Sequence, residues 1–179
     1  PAHALSLSGD YKYNLLMDGT VVIEGYIGKA NTLYIPAYMN GKPVSKIGRN
    51  AFQRCYSLQT VHIPDGVTQI DFNAFGYCRN LTSVKLPDSL TSIGDNAFYD
   101  CYSLTSVTIP DSVARIGQNA FYNCKALTSV HIPNSVAEIG AGAVHTYAYT
   151  EKSDKAIRSE VSFLRLWCPR ATVVYECVI

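Results

Sequence analysis

Ile93-Gly94-Asp95-Asn96-Ala97-Phe98-Tyr99-Asp100-Cys101-Tyr102-Ser103-Leu104-Thr105-Ser106-Val107-Thr108-Ile109-Pro110-Asp111-Ser112-Val113 is one copy of a phrase that the chain repeats. Asn-Ala-Phe, two residues, Cys, two residues, Leu and then Val-x-(Ile/Leu)-Pro occurs four times, with cysteines at Cys55, Cys78, Cys101 and Cys124, each 23 residues after the last. A fixed period of this size marks a solenoid, because one turn of such a chain cannot bury its apolar face alone and must stack on its neighbours. The repetition also argues against catalysis, since a residue that looks special in one copy recurs in the next for packing reasons.

Alignment of the copies assigns a task to each position. Leu58, Leu81, Leu104 and Leu127 are followed by Val61, Val84, Val107 and Val130 and then by Ile63, Leu86, Ile109 and Ile132, the L-x-x-L-x-L strand of a leucine-rich repeat. Alternate residues of a strand share a face, so these side chains point inward. Pro64, Pro87, Pro110 and Pro133 end each strand, because proline cannot donate to a continuing ladder. A second inward pair follows, Val67/Ile70, Leu90/Ile93, Val113/Ile116 and Val136/Ile139. At Gly48, Gly94, Gly117 and Gly140 a left-handed corner is expected, with Asp71 tolerated in that place once. Asn50, Asn73, Asn96 and Asn119 precede Ala-Phe and are expected to cap one short helical turn on the outer side of the coil. Phe52, Phe75, Phe98 and Phe121 then fill the interior from that side. Burial of such side chains at about 1.5–3 kcal/mol each accounts for order without a ligand.

Terminal coils have a face without a neighbour and need caps. At the amino end, Tyr11 to Leu16 and Thr20 to Tyr26 flank Met17-Asp18-Gly19, a hairpin signal in which Asp-Gly takes positive φ. The incomplete coil Leu33-Tyr34-Ile35-Pro36 follows, its proline 28 residues before Pro64, with a protruding turn expected over Tyr38-Met39-Asn40-Gly41-Lys42. At the carboxyl end Val144, Tyr147 and Thr150 stand where Phe, Cys and Leu would recur. Ser153 there caps a predicted helix with the stripe Ile157, Val161, Leu164 and Cys168, ended by Pro169, and a strand runs from Thr172 to Ile179. The sequence therefore reads as one α/β leucine-rich-repeat solenoid of about 23-residue coils over 1–179. Its parts are an N-terminal β-hairpin cap with an incomplete coil (1–43), four repeats (44–143) and a C-terminal helix-strand cap (144–179).

With 47% hydrophobic and 16% charged residues and a formal net charge of +1, the chain has material for one core and no electrostatic bias toward nucleic acid or anionic membrane. No apolar run approaches the ~18 residues of a membrane span, so no membrane insertion is expected. Ala2-His3-Ala4 has the small-x-small form found near a signal-peptidase site. His62 and His131 occupy one outward strand position three coils apart, too far to share an ion, and His3 and His145 lie in or near the caps. Asp65, Asp88 and Asp111 form a ladder after the strand prolines, read as turn chemistry in which each side chain bonds a backbone amide two residues on, with calcium the alternative. No catalytic motif accompanies them, and no cofactor or metal is expected. The four repeated cysteines are read as buried free thiols, whereas Cys168 and Cys177 form either a disulfide or two free thiols.

The surface then carries the function. Thr60/His62, Ser83/Lys85, Ser106/Thr108 and Ser129/His131 form a small, polar, weakly basic strip on the strand face. Tyr56, Tyr77, Tyr99, Tyr102 and Tyr122 stand on the outer face, either as recognition anchors or as covers of the coils. The repeat from Ile93 to Val113, four copies over about residues 44 to 143, together with the Asp18-Gly19-Thr20 hairpin, resembles the BspA-like leucine-rich repeat family. The resemblance implies a secreted or cell-surface adhesion module that holds a protein or glycan and has no catalytic residues. The rival reading is a structural spacer or display scaffold, and an enzyme comes third.

Overall fold

The computed structural model describes residues 6–128 and 130–144. Its strands are β1 (Ser6–Ser8), β2 (Tyr11–Leu15), β3 (Val21–Tyr26), β4 (Thr32–Tyr34), β5 (Tyr38–Met39), β6 (Lys42–Ile47), β7 (Thr60–His62), β8 (Gln69–Ile70), β9 (Ser83–Lys85), β10 (Ser92–Ile93), β11 (Arg115–Ile116) and β12 (Glu138–Ile139). Each coil contributes to two ladders. One runs β1-β2-β3-β6-β8-β10-β11-β12, antiparallel as far as β3 and parallel from β3 onward. The other runs β4-β7-β9 and continues as the bridges Ser83↔Ser106 and Thr108↔His131.

The repeat pattern explains the core. Phe52, Phe75, Phe98 and Phe121 are fully buried and stack at 4.9, 5.3 and 5.2 Å between centroids. The inward Leu, Val and Ile positions are buried with them, except that Ile139, at the end of the described array, is only partly covered. At the other end β2 and β3 form the antiparallel hairpin, and β3 pairs in parallel with β6. Its turn is held by Asp18, whose Oδ1 accepts from the Thr20 N–H at 2.9 Å and the Thr20 hydroxyl at 2.7 Å, while Gly19 takes φ 81°. The protruding turn after Pro36 is itself a hairpin, β5 against β6, with Asn40 and Gly41 both left-handed as a two-residue type I′ connection requires.

Three expectations are corrected. Over the described residues the coil is a β-solenoid and not α/β, since they contain no helix. The asparagines do not cap helical turns, because Asn50, Asn73, Asn96 and Asn119 have φ of 58, 55, 56 and 53°, whereas an N-cap residue is extended. Four residues on, Arg54, Tyr77, Asp100 and Asn123 are left-handed again, which ends each turn before a helix can propagate. Between these two points alternate N–H groups reach the next coil, Asn50 to the Phe72 carbonyl at 3.0 Å, Phe52 to Ala74 at 2.7 Å and Arg54 to Gly76 at 2.9 Å. The third side of the coil is thus hydrogen-bonded as continuously as the two ladders.

The third correction concerns Gly48, Gly94, Gly117 and Gly140, which are not left-handed corners. They are glycine for space. A Cβ on Gly94 would lie 2.7 Å from the Asp71 carbonyl carbon, and one on Gly117 would lie 2.4 Å from the Asp95 backbone nitrogen. Asp71, in the same column, is likewise not left-handed; its carboxylate takes the Phe72 N–H at 2.6 Å and the Lys46 ammonium at 3.0 Å. The expected C-terminal helix and strand, with Cys168 and Cys177, lie outside the described residues, as do Ser129, His3 and His145.

Candidate functional site

Parallel pairing sets the strand face as two rows of outward side chains. In one, Thr32 pairs with Thr60, Thr60 with Ser83, and Ser83 with Ser106. In the other, Tyr34 pairs with His62, His62 with Lys85, and Thr108 with His131. Thr60 and His62 are half-buried, and Ser83, Lys85, Ser106, Thr108 and His131 are exposed. A shallow groove of about 340 Å³ lies among Ser83, Lys85, Asp88, Ser106, Thr108 and Pro110.

Tyr34 was not among the residues expected on this face. Its ring stacks on His62 at 4.3 Å with 6° between the planes, and it is 70% exposed. The 28-residue step hid it, yet Leu33-Tyr34-Ile35-Pro36 set against Val61-His62-Ile63-Pro64 carries the register. The strip therefore begins with a large aromatic side chain, the type that supplies area at an interface for little entropy loss.

The outer tyrosines are packed into the coil surface. Tyr77, Tyr99, Tyr102 and Tyr122 are half-buried, and Tyr56 is 49% exposed. Tyr77 lies 5.4 Å from Tyr99, and Tyr99 stacks on Tyr122 at 5.2 Å. Tyr102 is held between the Arg79 guanidinium at 5.2 Å and the Lys125 ammonium at 4.8 Å, and its hydroxyl donates to Asp100 Oδ2 at 3.0 Å. Asp100 is buried and takes the Asn123 amide on its other oxygen at 2.8 Å.

The thiol ladder faces inward. Cys78, Cys101 and Cys124 are buried, Cys55 at the end is half-buried, and all four are free thiols. Each buried thiol donates to a phenylalanine carbonyl of the preceding coil, Cys78 to Phe52 at 3.0 Å, Cys101 to Phe75 at 3.2 Å and Cys124 to Phe98 at 3.2 Å. Desolvation pushes their ionisation up, to about 11 for Cys55 and about 12 for Cys124. Such thiols are neither nucleophiles nor metal ligands near neutral pH.

The aspartate ladder does not do what was expected of it. Asp65, Asp88 and Asp111 are exposed, and the turn is tied across coils by serines instead. Ser89 Oγ accepts from the Gly66 N–H at 3.0 Å and donates to the Val67 carbonyl at 2.8 Å. Ser112 and Ser135 repeat that second bond to Leu90 and Val113, at 2.6 and 2.8 Å. Among the described residues no three His, Cys, Asp or Glu side chains converge.

A stack of about 23-residue coils with a leucine strand in each defines a leucine-rich-repeat solenoid. The chain belongs to the BspA-type family: the model of the BspA type leucine-rich repeat region, in six copies, matches residues 45–162. The chain is similar to a leucine-rich repeat protein of T. pallidum, at 37% identity and a TM-score of 0.75 over 78% of this chain and 66% of that one. A leucine-rich repeat protein from Bacteroides ovatus is 32% identical, with a TM-score of 0.66 over 75% of this chain and 37% of that one. The pneumococcal vaccine antigen PcpA, 20% identical over 72% of this chain and 34% of that one, shares the fold at a TM-score of 0.57. The chain thus spans 66% and 37% of the lengths of the first two. Comparison with functionally curated proteins gave no match.

Proposed function

We propose that the chain is a noncatalytic binding module that acts at a cell surface or after secretion and holds a protein partner on its strand face. The carrying observation is the row Tyr34–His62–Lys85–Thr108–His131, in which the exposed Tyr34, stacked on His62, stands beside a strip of small polar side chains. A few aromatic and basic positions dominate most protein interfaces, and here Tyr34, His62, Lys85 and His131 lie along one row of one face. The outer tyrosines are spent on one another and on Arg79 and Lys125, which favours the strand face over the outer rim.

The test is binding of the chain to an array of extracellular-matrix and cell-surface proteins, followed by the same assay with Tyr34→Ala. The reading expects a saturable partner whose affinity drops about tenfold or more with Tyr34→Ala, the size of a hot-spot loss. A chain that binds nothing on such arrays is a spacer instead.

A further inference from the structure

On the outer side, away from the strand face, a second shallow groove of about 340 Å³ follows the solenoid axis. Its floor is the asparagine ladder, Asn73, Asn96 and Asn119, and its wall is Arg54, Tyr77 and Tyr99. None of its lining residues is acidic. We infer that this groove is a binding site for an acidic glycan, a linear saccharide bearing a carboxylate or sulfate, distinct from the strand-face site.

Three features of the groove select that chemistry. The first is the floor. Asn73 spends its amide on the ladder, donating to Asn50 Oδ1 at 2.8 Å, but the carboxamides of Asn96 and Asn119 form no hydrogen bond with any described residue and are not sealed from solvent. Each offers a donor pair and an acceptor, which matches the mixed donor and acceptor character of a sugar hydroxyl. They repeat once per coil, near the ~5 Å spacing of stacked strands, so the floor suits an extended ligand rather than a compact one.

The second feature is the wall. Arg54 lies over the Tyr77 ring at 5.5 Å, Tyr77 lies against Tyr99 at 5.4 Å, and Tyr99 stacks on Tyr122 at 5.2 Å. Tyr77 is tilted by 54° from Tyr99, whereas Tyr99 lies parallel to Tyr122 within 5°. One face of Tyr77 is thus taken by the guanidinium and one face of Tyr99 by Tyr122, and the two rings form no continuous platform on which successive bases of a single-stranded nucleic acid would stack.

The third feature is the cation. Among the described residues Arg54 has no carboxylate partner. Its guanidinium carbon lies 5.5 Å from the Tyr77 ring centroid and the side chain is exposed, so its N–H groups are available to an anion in their planar fork. One cation at the end of an uncharged, amide-lined channel favours a saccharide with an acidic group over a densely charged polymer.

The experiment is a titration of the chain at low and at physiological salt with three probes: a hyaluronan hexasaccharide, which carries carboxylates only, a keratan-sulfate hexasaccharide, which carries sulfates only, and a neutral chitin hexasaccharide. Binding of either acidic probe is expected, weakening with salt, with the neutral probe bound at least about tenfold more weakly, in keeping with loss of a charge-assisted bond. Which acidic probe binds tells carboxylate from sulfate. Arg54→Ala and Asn96→Asp are each expected to weaken binding about tenfold or more. Asn96→Asp keeps the shape and the tolerance of positive φ, so it preserves the turn while placing a like charge on the floor. Lys85→Glu with His131→Ala on the strand face should leave the saccharide affinity unchanged, which separates this site from the one proposed above. The inference is overturned if neither acidic probe binds at low salt, or if the neutral probe binds equally. It is also overturned if Asn96→Asp and Arg54→Ala bind like the parent, or if a poly-glutamate peptide competes as well as the saccharide.

Discussion

At the scale of single residues, alternate positions of one strand differ sharply in consequence. Leu104 is fully buried and Thr108 exposed, so Leu104→Ala should cost on the order of 2–5 kcal/mol and Thr108→Ala under about 0.5. Denaturant midpoints of the two variants check this, and equal midpoints would contradict the inward and outward assignment. The cysteines make a different prediction, about pH. Burial raises Cys55 to about 11 and Cys124 to about 12, and Cys78 and Cys101 are raised as well. A thiol in the unfolded chain ionises near ~8.5, so between that value and the folded one the unfolded chain holds fewer protons and stability falls as pH rises. Below that window the thiol contribution is complete. The unfolding midpoint should therefore decline from about pH 9 upward, and Cys55→Ala with Cys124→Ala should flatten the decline. A parent midpoint level up to about pH 11 would show that the folded thiols ionise as freely as unfolded ones.

At the scale of the elements, the two ladders were legible and the third side was not, for one physical reason. Strand positions announce themselves by alternation: Val61 and Ile63 face in, Thr60 and His62 face out, and the 23-residue period repeats the pattern. The outer turn has no such period. An asparagine before Ala-Phe has one spelling for a helix cap and for a left-handed residue, and only the second left-handed position, on Arg54, Tyr77, Asp100 and Asn123, tells them apart. Arg54 and Tyr77 do not advertise positive φ, and Asp100 and Asn123, which tolerate it, stand there in only two of the four coils. Gly94 and Gly117 were misread likewise, because a glycine required by a neighbouring coil's backbone looks the same in sequence as one required by φ. The two explanations part on mutation. Gly117→Ala places a Cβ 2.4 Å from the Asp95 nitrogen in the adjacent coil, and should destabilise by about 1–3 kcal/mol or more through overpacking between coils. The Gln118 amide, which donates to Asp95 Oδ1 at 2.9 Å, should lose protection from hydrogen exchange with it. A variant as stable as the parent would mean that the coils can part there at no cost. Of the candidate site, the rows from Thr60 to His131 followed from the period, but Tyr34 did not, because the step that leads to it is five residues longer than the repeat.

For the whole molecule, the remaining matter is which face a partner takes. A solenoid is stiff along its axis because each coil bonds its neighbours on three sides, here by two ladders and by the Asn50, Phe52 and Arg54 amides. Neither face has to reorganise before binding, so affinity depends on which side chains each presents. The strand face presents Tyr34, His62, Lys85 and His131 along one row. The outer face has more tyrosines, but Tyr99 is stacked on Tyr122 and both are partly buried in the coil surface. An aromatic ring contributes to an interface by what it still exposes, and a truncation that removes an internal stack shows up first in stability. Lys85→Glu with His131→Ala should therefore weaken binding of a protein partner about tenfold or more while leaving the unfolding midpoint in place. Tyr99→Ala with Tyr122→Ala should do the reverse, with a lower midpoint and nearly unchanged affinity at a temperature where the chain is folded. Surface plasmon resonance and thermal melts on the same four-residue set separate the two axes. If the tyrosine pair lost affinity and the strand-face pair kept it, the partner would sit on the outer face and the row beginning at Tyr34 would be a bystander.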